Sequence, residues 1–216
     1  MRFFIRILIG FAAICPGSMI ATVCRGDLII QVHDAQIAYG GSGFVDVTVS
    51  GGAADDLSAF SAQMKITTAA TLNGGVEFVS PFFDPSAVTS PIPYVFLGDS
   101  DGYNVAYPTA DEINVGDATD SGNSVSLNST FLLMRLLVKH TGGFDAVGET
   151  FQIEFLDTHG GTSLLDGAGL PSPFNPASDF AGTITIVTPE PAFGGLLALG
   201  SIGGLVWRRR RARLKS

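Results

Sequence analysis

The sequence predicts a mainly β protein: an antiparallel two-layer β-sandwich of about eight or nine strands, flanked by an N-terminal signal peptide and a C-terminal transmembrane helix. Three observations carry that expectation. From Asp27 to Val187 the chain is a succession of short apolar or alternating runs, separated by clusters of Gly, Pro, Asn and Asp. No stretch between them has the apolar spacing of an amphipathic helix. The two ends are instead continuous apolar runs bordered by arginine.

The charge is partitioned to match. The 216-residue chain has a net charge of -8. Between Asp27 and Asp179, however, only Lys65, Arg135 and Lys139 stand against 19 acids. A body that acidic excludes nucleic acid as a partner, because phosphate contacts need Lys and Arg. It reads as a soluble ectodomain that attracts cations.

Residues 1–26 have the three parts of a secretory signal. Arg2 and Arg6 begin it, Ile7 to Ile14 form the apolar core, and Pro16-Gly17-Ser18 break it. Cleavage after Cys24 and cleavage after Gly26 both fit. Pro16 and Gly17 disfavour one long spanning helix. Cys15 and Cys24 are the only cysteines, so removal of this segment leaves no thiol for a disulfide, a metal site or a nucleophile. Ile14 and Val23 precede them, where a lipid-anchor signal needs a small residue.

The body, residues 27–187, follows in order. Leu28 to Ala38 alternates loosely. Phe44 to Val49 alternates cleanly, with Phe44, Asp46 and Thr48 on one face and Val45, Val47 and Val49 on the other. Ser58 to Thr68, Val76 to Val79 and Tyr94 to Leu97 read as further strands. Phe131 to Lys139 is nearly all apolar, as in a strand buried on both faces. Phe131 to Val138 also fits a short buried helix, but its neighbours favour sheet. Phe151 to Phe155 alternates again, and Gly182 to Val187 closes the set.

Catalytic chemistry is hard to place on this chain. A nucleophile needs a base beside it, oriented by a third group. The three histidines, His33, His140 and His159, fall in a first strand, at a strand end and in a turn, with no G-x-S-x-G or H-E-x-x-H among them. Acids for a glycosidase pair are abundant, but nothing singles one pair out. One loop has metal-ligand character, Gly98-Asp99-Ser100-Asp101-Gly102-Tyr103-Asn104. Asp99, Asp101 and Asn104 offer oxygens around a turn that glycine permits, as calcium prefers, with Asp117, Asp120 and Asn123 as weaker additions from the same region. The twelfth position of an EF-hand would be Ala110, with Asp111 one beyond, so the full pattern is lacking. An ordinary solvated turn is the competing reading.

Residues 188–213 are the most specific stretch. Thr188-Pro189-Glu190-Pro191 leads into Ala192 to Trp207, 16 residues without charge, and then Arg208, Arg209, Arg210 and Arg211. As a helix, 192–207 spans about 24 Å, short of the ~30 Å hydrocarbon core. An interfacial Trp207 and snorkelling arginines make up the difference. The arginine block places the tail in the cytoplasm and the body across the membrane. The prolines keep the motif extended at the membrane surface.

This order of Pro-Glu-Pro, short apolar span and arginine cluster resembles the PEP-CTERM sorting signal of Gram-negative bacteria. The resemblance implies recognition of Pro189, Glu190 and Pro191 by an exosortase, after export by the general secretion machinery, and removal of helix and tail. Such tails are also labelled "ice-binding protein C-terminal domain", which implies no activity. In the body, Phe44 to Ser50, Leu57 to Met64, and Leu136 to Val138 through Gly148 to Phe151 follow an order that resembles cohesin-like domains. These are jelly-roll sandwiches related to carbohydrate-binding modules. The segment from Phe82 to Asn123 departs from the pattern. The resemblance implies binding of another surface protein or of extracellular polysaccharide, and carries over no ligand-contact residue. The expectation is a non-enzymatic module of the cell envelope or extracellular matrix. A polysaccharide hydrolase and a calcium-stabilised scaffold are the alternatives.

Overall fold

A computed structural model describes residues 28–67, 74–142, 144–156, 162–176 and 181–188. Its strands run from β1 (Leu28–Val32) and β2 (Ala35–Ala38) through β3 (Ser42–Ser50), β4 (Asp56–Leu57), β5 (Ala59–Thr67) and β6 (Val76–Phe78). Next come β7 (Asn104–Thr109), β8 (Glu112–Ala118), β9 (Val125–Ser126) and β10 (Phe131–His140). After a 3-10 turn at Phe144–Ala146 follow β11 (Thr150–Phe155), β12 (Ser163–Leu165), β13 (Phe174–Pro176) and β14 (Ala181–Val187).

One sheet has the order β13-β1-β3-β10-β6. The other runs β2-β14-β11-β5-β8-β7, with β12 added beside β5. The small pair β4-β9 is a third sheet. The alternation read from Phe44 to Val49 sets the packing. Val45, Val47 and Val49 are fully buried, and Val45 and Val47 stand opposite Leu136 and Met134 of β10. From the second sheet come Phe60, Met64, Ile66, Val115, Phe151, Ile153, Ile184 and Ile186. The two inner faces form one hydrophobic core, the arrangement of a sandwich.

Several expectations change in detail. Leu28 to Ala38 is two strands, because the chain turns at His33-Asp34 and passes from one sheet to the other. β13 and β14 accompany it, β13 parallel to β1 and β14 parallel to β2, so the sandwich is antiparallel except for these two pairs. Gly182 permits the close crossing. A Cβ there would lie 2.7 Å from Val32 Cγ1 and 2.9 Å from the His33 carbonyl oxygen.

Phe131 to His140 is a strand, with a register shift between Leu132 and Met134. The bulge explains why three consecutive residues, Leu132, Leu133 and Met134, are all buried. Tyr94 to Leu97 is not a strand. It makes one isolated bridge, Tyr94 to Leu132, and then turns, with the Leu97 and Asp99 amides donating to the carbonyls of Tyr94 and Phe96. Its apolar side chains serve as a plug: Phe96 stacks on Phe60 at 6.0 Å, and Tyr94 meets Phe96 edge-on at 6.1 Å. The segment that departs from the cohesin-like pattern also holds the β7-β8 hairpin.

Candidate functional site

The Asp/Gly loop is built from hydrogen bonds within the chain. Positive φ at Gly98 (78°) and Gly102 (136°) shapes it, a backbone that L side chains rarely adopt. Asp99 accepts from the Ser121 amide at 2.9 Å and from the Ser121 hydroxyl at 2.6 Å. The Asn104 amide donates to the Gly102 carbonyl at 3.0 Å. Asp101 is exposed, and its backbone amide donates to the Ala118 carbonyl.

The residue that organises the loop is Asp117, which the sequence offers only as a further acid of the same region. It is buried and accepts from the Tyr94 hydroxyl at 2.5 Å, the Ser100 hydroxyl at 2.6 Å and the Ala118 amide at 2.7 Å. Burial, and then the bond to Asp117, push the Tyr94 phenol well above its ordinary pKa. Among the described residues, no three His, Cys, Asp or Glu side chains are grouped to hold a metal ion. The signal that could have found its buried position is its alternation with Ile113 and Val115, which places it on the inner face.

The histidines do not form a catalytic constellation. His33 Nε2 lies 3.0 Å from Thr48 Oγ1, and that threonine is buried. His140 is fully buried, and its Nδ1 accepts the Gly40 amide at 3.1 Å. The ring proton therefore sits on Nε2, which is buried without a partner among the described residues. Burial holds the His140 pKa below its ordinary value, while Glu149 pulls weakly upward. His159 lies outside the described residues.

The sorting residues Pro189, Glu190 and Pro191, the apolar run 192–207 with Trp207, and Arg208 to Arg211 also lie outside them, as does the signal at 1–26. The fold holds the chain up to that point, for the Tyr39 amide donates to the Val187 carbonyl at 3.0 Å. No helix among the described residues is long and apolar enough to cross a membrane.

What remains as a surface for function is the outside of the sandwich. On the β5-β8-β7 part of the larger sheet, Ser61, Asn104, Ala106, Asn114 and Gly116 line a shallow depression of about 360 Å³. Uncharged short side chains and a glycine make it flat. Farther along the same sheet lie an ion pair, Lys65 Nζ at 3.0 Å from Glu112, and a hydrogen bond, Thr67 donating to Glu154 at 3.1 Å. A flat, uncharged sheet face is suited to another macromolecular surface rather than to a small substrate.

Sheet order, core and open face together define a cohesin-like β-sandwich. The sixth cohesin of scaffoldin B from Acetivibrio cellulolyticus, solved in complex with a Cel5 dockerin mutant, aligns at TM-score 0.53 with 15% identity, covering 74% of this chain and 98% of that one. A non-cellulosomal cohesin from Archaeoglobus fulgidus aligns at 0.48 with 15% identity, over 78% and 97% of the two chains. The seventh ScaB type I cohesin from Pseudobacteroides cellulosolvens aligns at 0.47 with 13% identity, over 77% and 96%. At these identities the likeness is one of fold. Residues 187–211 match the model of the PEP-CTERM protein-sorting motif. The chain is thus a cohesin-like sandwich carrying a PEP-CTERM motif, the mark of an exported, membrane-anchored precursor processed to the cell surface. No curated protein matches it.

Proposed function

We propose that this protein is an exosortase-processed component of the cell envelope or matrix, whose sandwich is a non-catalytic module that binds another surface protein. The observation that carries the reading is the conjunction of a PEP-CTERM motif with a cohesin-like body. The matched Acetivibrio cohesin was solved bound to a dockerin, which favours a protein partner here too. The flat β5-β8-β7 face is its docking surface. The loop at Asp99, Asp101 and Asn104 serves as a self-supporting turn, since Asp99 and Asn104 already have partners in the chain.

A photo-crosslinking residue at Ser61 or Asn114 of the full chain, expressed in its own cells, tests the reading. A discrete protein adduct that disappears when Asn104 is changed to Arg is the expected result. Absence of any adduct from this face, together with polysaccharide turnover lost on mutating one carboxylate, would replace the binding module with a hydrolase.

A further inference from the structure

The opposite sheet carries a second, differently built concavity. A groove of about 230 Å³ is lined by His33, Asp34, Phe44, Asp46 and Ile92. Its side chains are fixed by neighbours rather than free. Arg135 grips Asp46 through both carboxylate oxygens, at 2.6 Å from Nε and 2.7 Å from Nη2. The guanidinium carbon also lies 5.7 Å from the ring centres of Phe44 and Phe83, and these rings meet edge-on at 5.2 Å. His33 is oriented by Thr48 at 3.0 Å. Asp34 uses Oδ1 to accept the Thr183 amide at 2.8 Å, and its Oδ2 has no partner among the described residues. Phe44 keeps 46% of its surface exposed, so part of its ring is open to a ligand.

The chemistry of the lining favours a neutral ligand with hydrogen-bond donors and an apolar face. Two carboxylates, Asp34 and Asp46, repel an anion. A cation has only the exposed carboxylate of Asp34 to pair with, a weak solvent-screened contact, because Arg135 already neutralises Asp46 and already faces the Phe44 ring. A purely apolar ligand would bury His33, Asp34 and Asp46 without hydrogen bonds. A neutral polyhydroxylated ring satisfies all of them: its C–H face rests on Phe44, and its hydroxyls donate to Asp34 Oδ2 and Asp46 and meet His33. The volume suits a single sugar ring. Across the His33-Asp34 segment lies a larger depression of about 470 Å³, lined by Gln31, Val32, His33, Asp34 and Ala181. Its polar rim continues the groove for further rings.

We infer that this groove binds a neutral oligosaccharide segment of two or three units, with Phe44 as the stacking platform and Asp34 and Asp46 as hydroxyl acceptors. The site is separate from the β5-β8-β7 face, so it stands or falls independently of the protein partner proposed there.

The test is calorimetric titration, with saturation-transfer NMR, of the full chain in detergent. The probes are neutral tetraoses of glucose, mannose, galactose and N-acetylglucosamine, with a uronic-acid tetraose and tetralysine as contrasts. At least one neutral tetraose should bind with a Kd below roughly 1 mM. Phe44→Ala should weaken it roughly tenfold or more, and Asp34→Asn, an exposed and structurally mild change, by several-fold. Gln63→Ala on the other sheet should leave it unchanged. The inference is overturned by no neutral binding at 10-fold higher concentration, by affinity that Asp34→Asn and Phe44→Ala both leave intact, or by preference for either charged probe.

Discussion

Replacing Asp117 by alanine isolates the contact that organises the Asp/Gly loop. The change removes two short charge-assisted hydrogen bonds, from Tyr94 at 2.5 Å and Ser100 at 2.6 Å. Each is worth about 1.5–3 kcal/mol. Tyr94 is 1% exposed, so its hydroxyl cannot turn to water and is left buried without an acceptor. A net loss of about 3–5 kcal/mol follows, which for a domain of this size lowers Tm by roughly 6–20 °C. Asp99→Asn is the contrast, because its bonds to Ser121 are exposed to solvent and the loss should stay under about 1 kcal/mol. Thermal melts followed by near-UV circular dichroism on the full chain in detergent measure both. An Asp117→Ala melt within about 2 °C of wild type would refute the reasoning. Chelator on the wild-type protein separates a cation from this account. The loop supported by Asp117 should melt unchanged, and a drop of several degrees would assign the loop to calcium instead.

Other expectations follow from single contacts. The depressed pKa of His140 means that the unfolded chain takes up its proton first. Stability contributed by this residue is therefore lost as pH falls below about 6.5 toward the lower folded value. His140→Gln should flatten the fall in Tm between about pH 7 and pH 5, and parallel curves for variant and wild type would contradict it. Gly182→Ala forces a methyl to within 2.7 Å of Val32 Cγ1 and should cost about 1–3 kcal/mol by urea titration; an unchanged midpoint would mean that the crossing is slack. Arg135→Ala removes a partly exposed pair with Asp46 and two ring contacts, an expected loss of about 1–2 kcal/mol in the same titration. No loss there would mean that the outer face of β3 and β10 does not depend on it.

How much of this was legible in the residues depended on how local the signal was. Phe44 to Val49 reports its own pleat, because one face meets a core and the other does not. Val76 to Phe78, Thr150 to Phe155 and Ala181 to Val187 are strands for the same reason. Tyr94 to Leu97 misleads, since an apolar run is equally apt to plug a core from a loop, and only the distant Phe60 and Asp117 decide between them. The β7-β8 hairpin is obscured by the Asp, Gly and Pro around it, although Ile113, Val115 and Asp117 alternate inward. Asp117 itself reads as one more acid beside the candidate calcium loop until its partners are in place. In the sequence Phe44 and Asp46 are only two residues that share one face of a strand. That Arg135 and Ile92, far along the chain, join them in a groove is a property of the topology. The sorting tail is legible from sequence alone because its order of motif, span and charge is linear.

Intact-mass measurement of the protein recovered from its producing cells tests the account most directly. Trimming at or next to Pro189-Glu190-Pro191, with both the leading segment and the arginine tail gone and the material found outside the cytoplasm, is the predicted result. A Glu190→Ala chain should instead remain in the membrane at the larger, untrimmed mass. Recovery of the unaltered chain from the cytosol with both termini present would contradict it.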